Sequence, residues 1–443
     1  GIINRLGEIT FNSSLIKEVR MIAQKNDLIE SGDLVVIEGR IAAVGEAISV
    51  PEGALEIDGT GKWVTPGIID VHSHLGVYPS PAVPATSDGN EATDPVTSQV
   101  WAEHSVWTQD PGFTRALAGG VTSLAIFPGS ANLFGGRTVT LKNVPSRTVQ
   151  GMKFPDAPHG LKMACGENPK RVYGEYLNRT PATRMGNFAG YRQTFTEAAE
   201  YKRGWDAYVR KAEAGEAATP PARKLKMDTL ASVLSGDILV HMHCYRADEM
   251  AFVLDLADEF GFKVTSFHHA IEAYKIADLL AEADACSAVW ADWWGFKLEA
   301  YDTVNENAAL IHNAGACSVI HSDSPYGIQR LNQDTAKAMA AGQAMGLEIT
   351  PEDAIGWITL NAARSLGIDE ETGSLAEGKA ADVVVWSGDP FSVYTEAEKV
   401  FIDGALIDAA AIDSSWTNAD EDITVGAAAT RQRDADDDNV SNV

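Results

Sequence analysis

Residues 66–75 read Pro-Gly-Ile-Ile-Asp-Val-His-Ser-His-Leu, and they give the clearest indication of both the architecture and the chemistry. An apolar run that follows a Pro-Gly turn predicts a buried strand. Alternate residues of a strand point the same way, so His72 and His74 are expected to project together from its carboxyl end. Neutral imidazole is a common metal ligand. A single His-x-His also arises by chance, so a metal site is predicted only if other parts of the chain supply further ligands.

Composition predicts a large globular protein. The chain has 443 residues, of which 45% are hydrophobic and 22% are charged. Its formal charge of −27 argues against nucleic acid and anionic membrane surfaces as partners, because both need basic protein surface. No apolar run reaches the roughly 18 residues of a membrane-spanning helix.

The four cysteines are expected to be buried free thiols. Each lies in or beside an apolar, strand-like run, and none forms a Cys-x-x-Cys pair. They are Cys165, Cys244, Cys286 and Cys317. The cysteines therefore do not indicate the cellular compartment. Export to a bacterial periplasm is favoured over the cytoplasm, because the missing initiator Met is compatible with processing.

Between residues 63 and 366, strand-like runs alternate with helical stretches. The runs are 64–71, 121–127, 137–142, 159–165, 237–243, 263–268, 286–291 and 316–322. Eight such runs predict an α/β fold, a (β/α)₈ TIM-like barrel. The polar stretch 175–230 is interpreted as a helical insertion in this barrel.

The two ends of the chain are expected to build a second, smaller unit. Residues 1–62 and 367–413 are rich in β and turn signals, and Glu38-Gly39-Arg40 is typical of a hairpin turn. We expect them to form one small β-sandwich domain. The acidic tail, residues 414–443, is predicted to be disordered.

Active residues of a (β/α)₈ barrel lie at the carboxyl ends of its strands. Seven of the ten histidines fall at such ends in this chain, together with one lysine and two carboxylates. The residues are His72, His74, Lys162, Glu167, His241, His243, His268, His269, His321 and Asp323. Packing alone does not explain metal-ligand residue types at so many strand ends, so a metal site is predicted.

These motifs resemble the amidohydrolase superfamily. The resemblance rests on the run from Val64 to His74, on His243, His268 and Asp323, and on a late Gly-Ser-Leu-Ala-Glu-Gly-Lys-Ala-Ala-Asp-Val-Val-Val-Trp run at 373–386. The branch most similar to this chain is related to imidazolonepropionase and includes dipeptidases. The resemblance implies a barrel hydrolase with one or two divalent ions, usually zinc. His72, His74 and Asp323 would hold the first ion.

For a second ion, the resemblance implies His243 and His268 as ligands and a bridging anion. Relatives supply the bridge from a carbamylated lysine, a position that Lys162 matches, or from a glutamate, for which Glu167 is the candidate. Tyr245 stands where the family often has another histidine, which leaves His241 and His243 both open as the strand-five ligand.

Other residues near the expected barrel mouth are candidates for contacting substrate. They are Arg171, Tyr173, Tyr245, His269, Trp293, Trp294 and Lys297. Arginine could bind a carboxylate, and the aromatic side chains could line a pocket; solvated charge and simple packing are the alternatives.

The sequence therefore predicts a metal-dependent amidohydrolase that cleaves a C–N bond of a dipeptide-like or cyclic amide. Asp323 is the expected general base. The alternatives are a mononuclear deaminase or lactam hydrolase, and a non-catalytic, metal-stabilised binding protein. The expected partner is a small-molecule substrate, and homo-oligomerisation is left open.

Overall fold

The computed structural model describes residues 13–22, 28–49 and 52–407, and these form a mixed α/β structure. The predicted acidic tail at 414–443 and the first residues of the predicted β-domain lie outside the described ranges. Across those ranges, no helix combines the length and apolar character that a membrane span requires.

The strands fall into an amino-terminal group, a central group and a carboxyl-terminal group. In chain order they are β1 (Ser13–Ile22), β2 (Leu28–Ile37), β3 (Arg40–Gly45), β4 (Leu55–Asp58), β5 (Trp63–Pro66), β6 (Ile68–Ser73), β7 (Val121–Ile126), β8 (Phe134–Arg137), β9 (Val139–Lys142), β10 (Gly160–Ala164), β11 (Leu239–Cys244), β12 (Ser266–His269), β13 (Cys286–Val289), β14 (Cys317–Ile320), β15 (Val383–Trp386), β16 (Ala397–Ile402) and β17 (Ala405–Ile407).

The α-helices lie between the central strands and after the last of them. They are α1 (Gly112–Ala118), α2 (Glu167–Lys170), α3 (Arg184–Glu213), α4 (Leu225–Leu234), α5 (Ala247–Phe260), α6 (Ala277–Glu282), α7 (Asn307–Asn313), α8 (Leu331–Ala344), α9 (Pro351–Gly356) and α10 (Leu360–Leu366). Helices α3 and α4 occupy much of the stretch that was interpreted as a helical insertion.

Local sequence explains where these helices begin and end. Helix α5 buries Met250, Val253 and Leu256, whose spacing places them on one face, and it ends at Gly261 in a left-handed conformation (φ 72°). Helix α9 begins with a capping box, in which Thr350 and Asp353 each accept a hydrogen bond from the other's backbone N–H.

Parallel pairing aligns the carboxyl ends of the central strands. Strands β10 to β14 pair in sequence order, and the register places Ala164 beside His243 and His243 beside His268. Strands β6 and β7 also run parallel. Side chains that follow these strands therefore meet at one end of the sheet, as the sequence predicted.

The third predicted strand differs from its expected place in an all-parallel barrel. The run at 137–142 forms β9, and a further strand, β8, precedes it and shares only Arg137 with the run; β8 and β9 run antiparallel to β10 and β7 respectively. The connection from β7, residues 127–133, is too short for a crossover helix, and a parallel return needs about a dozen residues. The chain therefore turns straight back on itself.

The central strands form two sheets, β14-β13-β12-β11-β10-β8 and β6-β7-β9, which meet at both of their edges. Strands β8 and β9 are consecutive in the chain, and each belongs to a different sheet. At the other side, the N–H of Asp323, after β14, donates to the carbonyl of His72 on β6 (3.0 Å). Thus the first and last central strands are brought together at the carboxyl end.

Strands from both chain ends form one eight-stranded sheet in the described ranges. Its order is β17-β16-β15-β5-β1-β2-β3, with β4 paired to β1. The turn at Glu38-Gly39 joins β2 to β3, which confirms the predicted hairpin. Apolar side chains from the two ends share one buried cluster, including Leu34, Val64 and Val383.

The expectation of free thiols is wrong. Cys165 is bonded to Cys244 and Cys286 to Cys317, with Cα–Cα distances of 5.2 and 4.4 Å. Each pair joins neighbouring parallel strands, β10 with β11 and β13 with β14. The partners are 79 and 31 residues apart in sequence, so their approach depends on strand register and not on any local motif.

A buried ion pair connects the central strands to the β-domain. The ammonium of Lys142, on β9, contacts the carboxylate of Asp403 and lies 3.7 Å from Asp382 Oδ1. The side chains of Lys142 and Asp382 are 8% and 0% exposed, whereas that of Asp403 is 55% exposed, so the buried part of the pair is the one with Asp382. Removing one partner of a buried pair leaves an uncompensated charge.

We therefore expect Lys142→Ala to lower the free energy of unfolding by about 3 kcal/mol, measured by urea denaturation. Lys17→Ala is the matched control. It removes an exposed pair with Glu56 and is expected to change stability little. Equal losses in the two variants would contradict the structural role of the buried pair.

Candidate metal centre

The site lies at the carboxyl ends of the central strands. Strand β6 supplies His72, and β10, β11 and β12 supply Lys162, His243 and His269. Asp323 lies three residues past the end of β14, the last central strand. Their side chains converge because the parallel strands are in register.

His72, His74 and Asp323 form one compact group. Nε2 of His74 lies 3.2 Å and Nε2 of His72 3.9 Å from Oδ1 of Asp323. Nδ1 of His74 lies 2.8 Å from the carbonyl oxygen of Phe127, which orients the ring. One ligand atom from each of the three residues fits within a 4.8 Å spread, so the group can surround a single ion.

His269 and His321 form a second group with His72. Nε2 of His321 lies 2.9 Å from Nδ1 of His269, and Nδ1 of His269 lies 3.8 Å from Oδ2 of Asp323. His268, which the sequence favoured as a ligand, points to its neighbours instead. Its ring nitrogens lie 3.0 Å from nitrogens of His72 and His241.

His243 differs from His241 in its polar contacts. Both imidazoles are buried, but neither ring nitrogen of His243 has a hydrogen-bond partner among the described residues. Burying a polar group without a partner is costly. A site that leaves two imidazole nitrogens without protein partners is therefore suited to a ligand that supplies the missing interaction.

Lys162 lies inside the histidine cluster. Its side chain is buried, and Nζ is 3.1 Å from Nε2 of His72. Burial lowers the pKa of Lys162 to about 7. Glu167, the other candidate bridge, lies elsewhere: its Oε1 is 3.8 Å from Arg171 and 4.0 Å from Lys297. The structure therefore brings Lys162, and not Glu167, next to the histidines.

Burial keeps most of the clustered histidines neutral. It lowers the pKa of six imidazoles, and nearby positive charge adds to the effect, with Lys162 the main source for His72 and His241 and Lys297 for His243. The pKa falls to about 3 for His241, to about 4 for His321, and well below the usual range for His72, His243, His268 and His269. Neutral rings keep the lone pair that a metal ion requires.

Asp323 is ionised and partly accessible. Burial alone would raise its pKa, but the hydrogen bond from His74 and the neighbouring positive charges lower it on balance. Its side chain is 22% exposed, and its backbone adopts a left-handed conformation (φ 45°). His269 is also left-handed (φ 71°). Such conformations concentrate at functional sites.

Sequence reasoning missed two residues that support the site. The buried Asp70 carboxylate accepts hydrogen bonds from the N–H and the hydroxyl of Ser322 and from the N–H of His72. Tyr78 packs edge-on against His74, and burial, together with the charge of Asp323, raises its pKa to about 12. In the sequence, only the short spacing of Asp70 and Tyr78 from His72 and His74 could have indicated this supporting role.

Only some of the predicted substrate-binding residues lie beside the histidine cluster. Tyr245 and His269 lie against His243, with ring centroids 4.9 and 4.6 Å away, and Lys297 lies over the Tyr245 ring. Trp293 and Trp294 belong to the loop after β13. Arg171 lines a separate cavity of about 870 Å³. Tyr173 is a core residue, since it is buried and its hydroxyl donates to the carbonyl of Asp94 (2.8 Å).

Residues 63–425 match the amidohydrolase family. The chain belongs to this family. The match begins just before the His72/His74 strand and includes every residue of the candidate centre. Solved amidohydrolase-family structures imply a TIM barrel with an additional domain, which agrees with the mixed α/β arrangement described above.

The relatives support the same assignment. A solved amidohydrolase from Thermotoga maritima is 38% identical, covers 89% of this chain and 99% of its own, and gives a TM-score of 0.81. The protein named amidohydrolase tasK, from Hapsidospora irregularis, is 33% identical over 84% of this chain, which spans only 39% of that longer protein. An imidazolonepropionase from Cupriavidus taiwanensis is 25% identical over 81% of this chain and 85% of its own length.

The contrast between His243 and His241 yields a test. His243→Ala is expected to lower the zinc bound per chain by about one ion, because it removes a candidate ligand whose ring nitrogens have no protein partner in the described part of the chain. His241→Ala is the matched control, since it deletes the same volume from the same strand and should retain the zinc. The measurement is metal content by mass spectrometry after zinc loading, and a greater zinc loss in His241→Ala would reverse the assignment.

Proposed function

We propose that this family member is a metal-dependent hydrolase that cleaves the C–N bond of a dipeptide-like or cyclic amide. The observation that carries the proposal is the convergence of His72, His74 and Asp323 within 4.8 Å at the strand ends. Family membership supports it independently.

The donor set fits divalent metal. Imidazole and carboxylate are ordinary zinc ligands, and the neutral rings are ready to donate lone pairs. His72, His74 and Asp323 would hold one ion. Lys162 and His243 would hold a second ion. One histidine of β12 would join them as a ligand: the geometry favours His269, and the family resemblance favours His268.

A bound ion would lower the pKa of attacking water and polarise the substrate carbonyl. The protein's own residues supply the proton transfers. The ionised, accessible carboxylate of Asp323 accepts a proton from the attacking water and passes it to the leaving nitrogen. Asp323 is held in place by the hydrogen bond that its backbone N–H donates to the carbonyl of His72.

Lys162 is the proposed bridging residue, after carbamylation. The neutral amine nitrogen attacks CO₂; an N–C bond forms while one C–O π bond breaks and leaves its electron pair on oxygen, and the proton lost by the nitrogen passes to solvent water. This converts a buried cation into an anion, which suits a place between two cations and removes the cost of burying the ammonium. Its position beside His72 supports this role over one for Glu167.

Replacing Asp323 tests the enzyme against the binding-protein alternative. Zinc-loaded Asp323→Asn is expected to lose hydrolysis about 10³-fold while it remains folded, measured on a panel of dipeptides, N-acyl amino acids and an imidazolone. The imidazolone joins the panel because one relative is named imidazolonepropionase. Asp284→Asn, an exposed aspartate paired with Lys263, is the control and should keep full activity. Equal activity in both variants would contradict the proposed base.

Carbamylation predicts dependence on bicarbonate. Metal-free protein reloaded with zinc should regain more activity with bicarbonate than without it, and Lys162→Ala should abolish that difference. Lys263→Ala, an exposed lysine, is the control and should retain the bicarbonate effect. If the protein without substitutions recovers the same activity with and without bicarbonate, Lys162 is not a carbamylated bridging residue.

A further inference from the structure

A column of stacked rings runs from the metal centre toward the surface. His269 stacks on Trp290 with centroids 4.5 Å apart and planes 22° apart. Trp290 in turn stacks on Trp293 at 5.2 Å and 18°. Trp290 is only 5% exposed, whereas Trp293 keeps 41% of its surface exposed. The column thus begins beside Asp323 and ends in a partly open indole.

The inner part of this column is fixed. Nε1 of Trp290 donates to the carbonyl of Ser322 (3.0 Å), the residue before Asp323. The loop that carries Trp293 is closed by a hydrogen bond from the N–H of Gly295 to the carbonyl of Ala300 (2.9 Å). Gly295 has φ 70°, a conformation that glycine adopts without strain. The outer indole is therefore presented by an ordered loop.

Two further rings flank the column. Tyr245 and Phe296 approach Trp290 edge-on, with centroids 6.1 and 5.6 Å away. The walls are thus aromatic on more than one side. Aromatic rings prefer offset-stacked or edge-on partners, so a planar apolar group entering here would find both geometries.

We propose that Trp293, supported by Trp290, forms a subsite for an aromatic side chain of the substrate. This rests on the proposed function. The exposed indole extends the stack by one more ring, and His269 fixes the column's inner end 3.8 Å from the Asp323 carboxylate. An aspartate side chain has no ring to stack on Trp293, and the nearby Lys297 ammonium already lies 3.9 Å from Glu299 and 4.0 Å from Glu167, so an acidic side chain gains less at this position.

The test compares dipeptides that differ only in having a phenylalanine or an aspartate side chain. The zinc-loaded protein should prefer the phenylalanine substrate at least tenfold in kcat/KM. Trp293→Ala should lower that kcat/KM about tenfold and leave the aspartate value within twofold, whereas Trp293→Phe should keep the preference. No preference in the unmodified protein, or equal losses on both substrates, would overturn the subsite.

Two comparison variants sharpen this result. Tyr394→Ala removes an aromatic side chain that is 91% exposed in the loop between β15 and β16, and it should leave both substrates unchanged. Trp294 is 66% exposed on the same loop as Trp293. Trp294→Ala should reduce the preference less than Trp293→Ala does; an equal or larger loss would contradict the column.

A binding measurement separates this inference from the proposed reaction. Metal-free protein should bind N-acetyl-phenylalanine at least tenfold more tightly than N-acetyl-aspartate by calorimetry, and Trp293→Ala should lose that difference. If the binding preference is present but no amide is hydrolysed, the reaction fails and the subsite stands. If hydrolysis occurs without the binding preference, the subsite is wrong.

Discussion

The hydrogen bonds of the Asp70 carboxylate hold the two sides of the metal centre together. One buried side chain accepts from the backbone of His72 on the first central strand and from Ser322 after the last. These are the strands between which no regular ladder runs in the described ranges. His72, His74 and Asp323 can converge only if this junction is kept, and the Trp290 column depends on it as well, through the Ser322 carbonyl.

The electrostatics of the centre contrast with those of the whole chain. A protein with a formal charge of −27 buries neutral imidazoles and a lysine at its centre and keeps one carboxylate partly accessible among them. The burial that keeps the histidines neutral also makes it costly in folding free energy to leave their ring nitrogens without hydrogen-bond partners. Stability has to come from elsewhere, including the apolar clusters of the strands and the buried Lys142 pair that joins the two parts of the fold.

The features that could be predicted from the sequence are those that depend on short-range patterns. Alternation along a strand placed His72 beside His74, and the order of strand ends brought Lys162, His243 and Asp323 to the same site. Features that depend on pairing between distant strands were not readable. They include the two disulfides and the supporting role of Asp70. The choice between His268 and His269 depends on local backbone geometry, since His269 is left-handed and a regular alternation would not place it there.

The metal centre is tested by anomalous diffraction at the zinc absorption edge, from crystals of zinc-loaded protein. Two peaks are expected. One should lie within bonding distance of His72, His74 and Asp323, and the other next to Lys162 and His243. Zinc found only at other positions, or no peak at the strand ends, would contradict the metal centre.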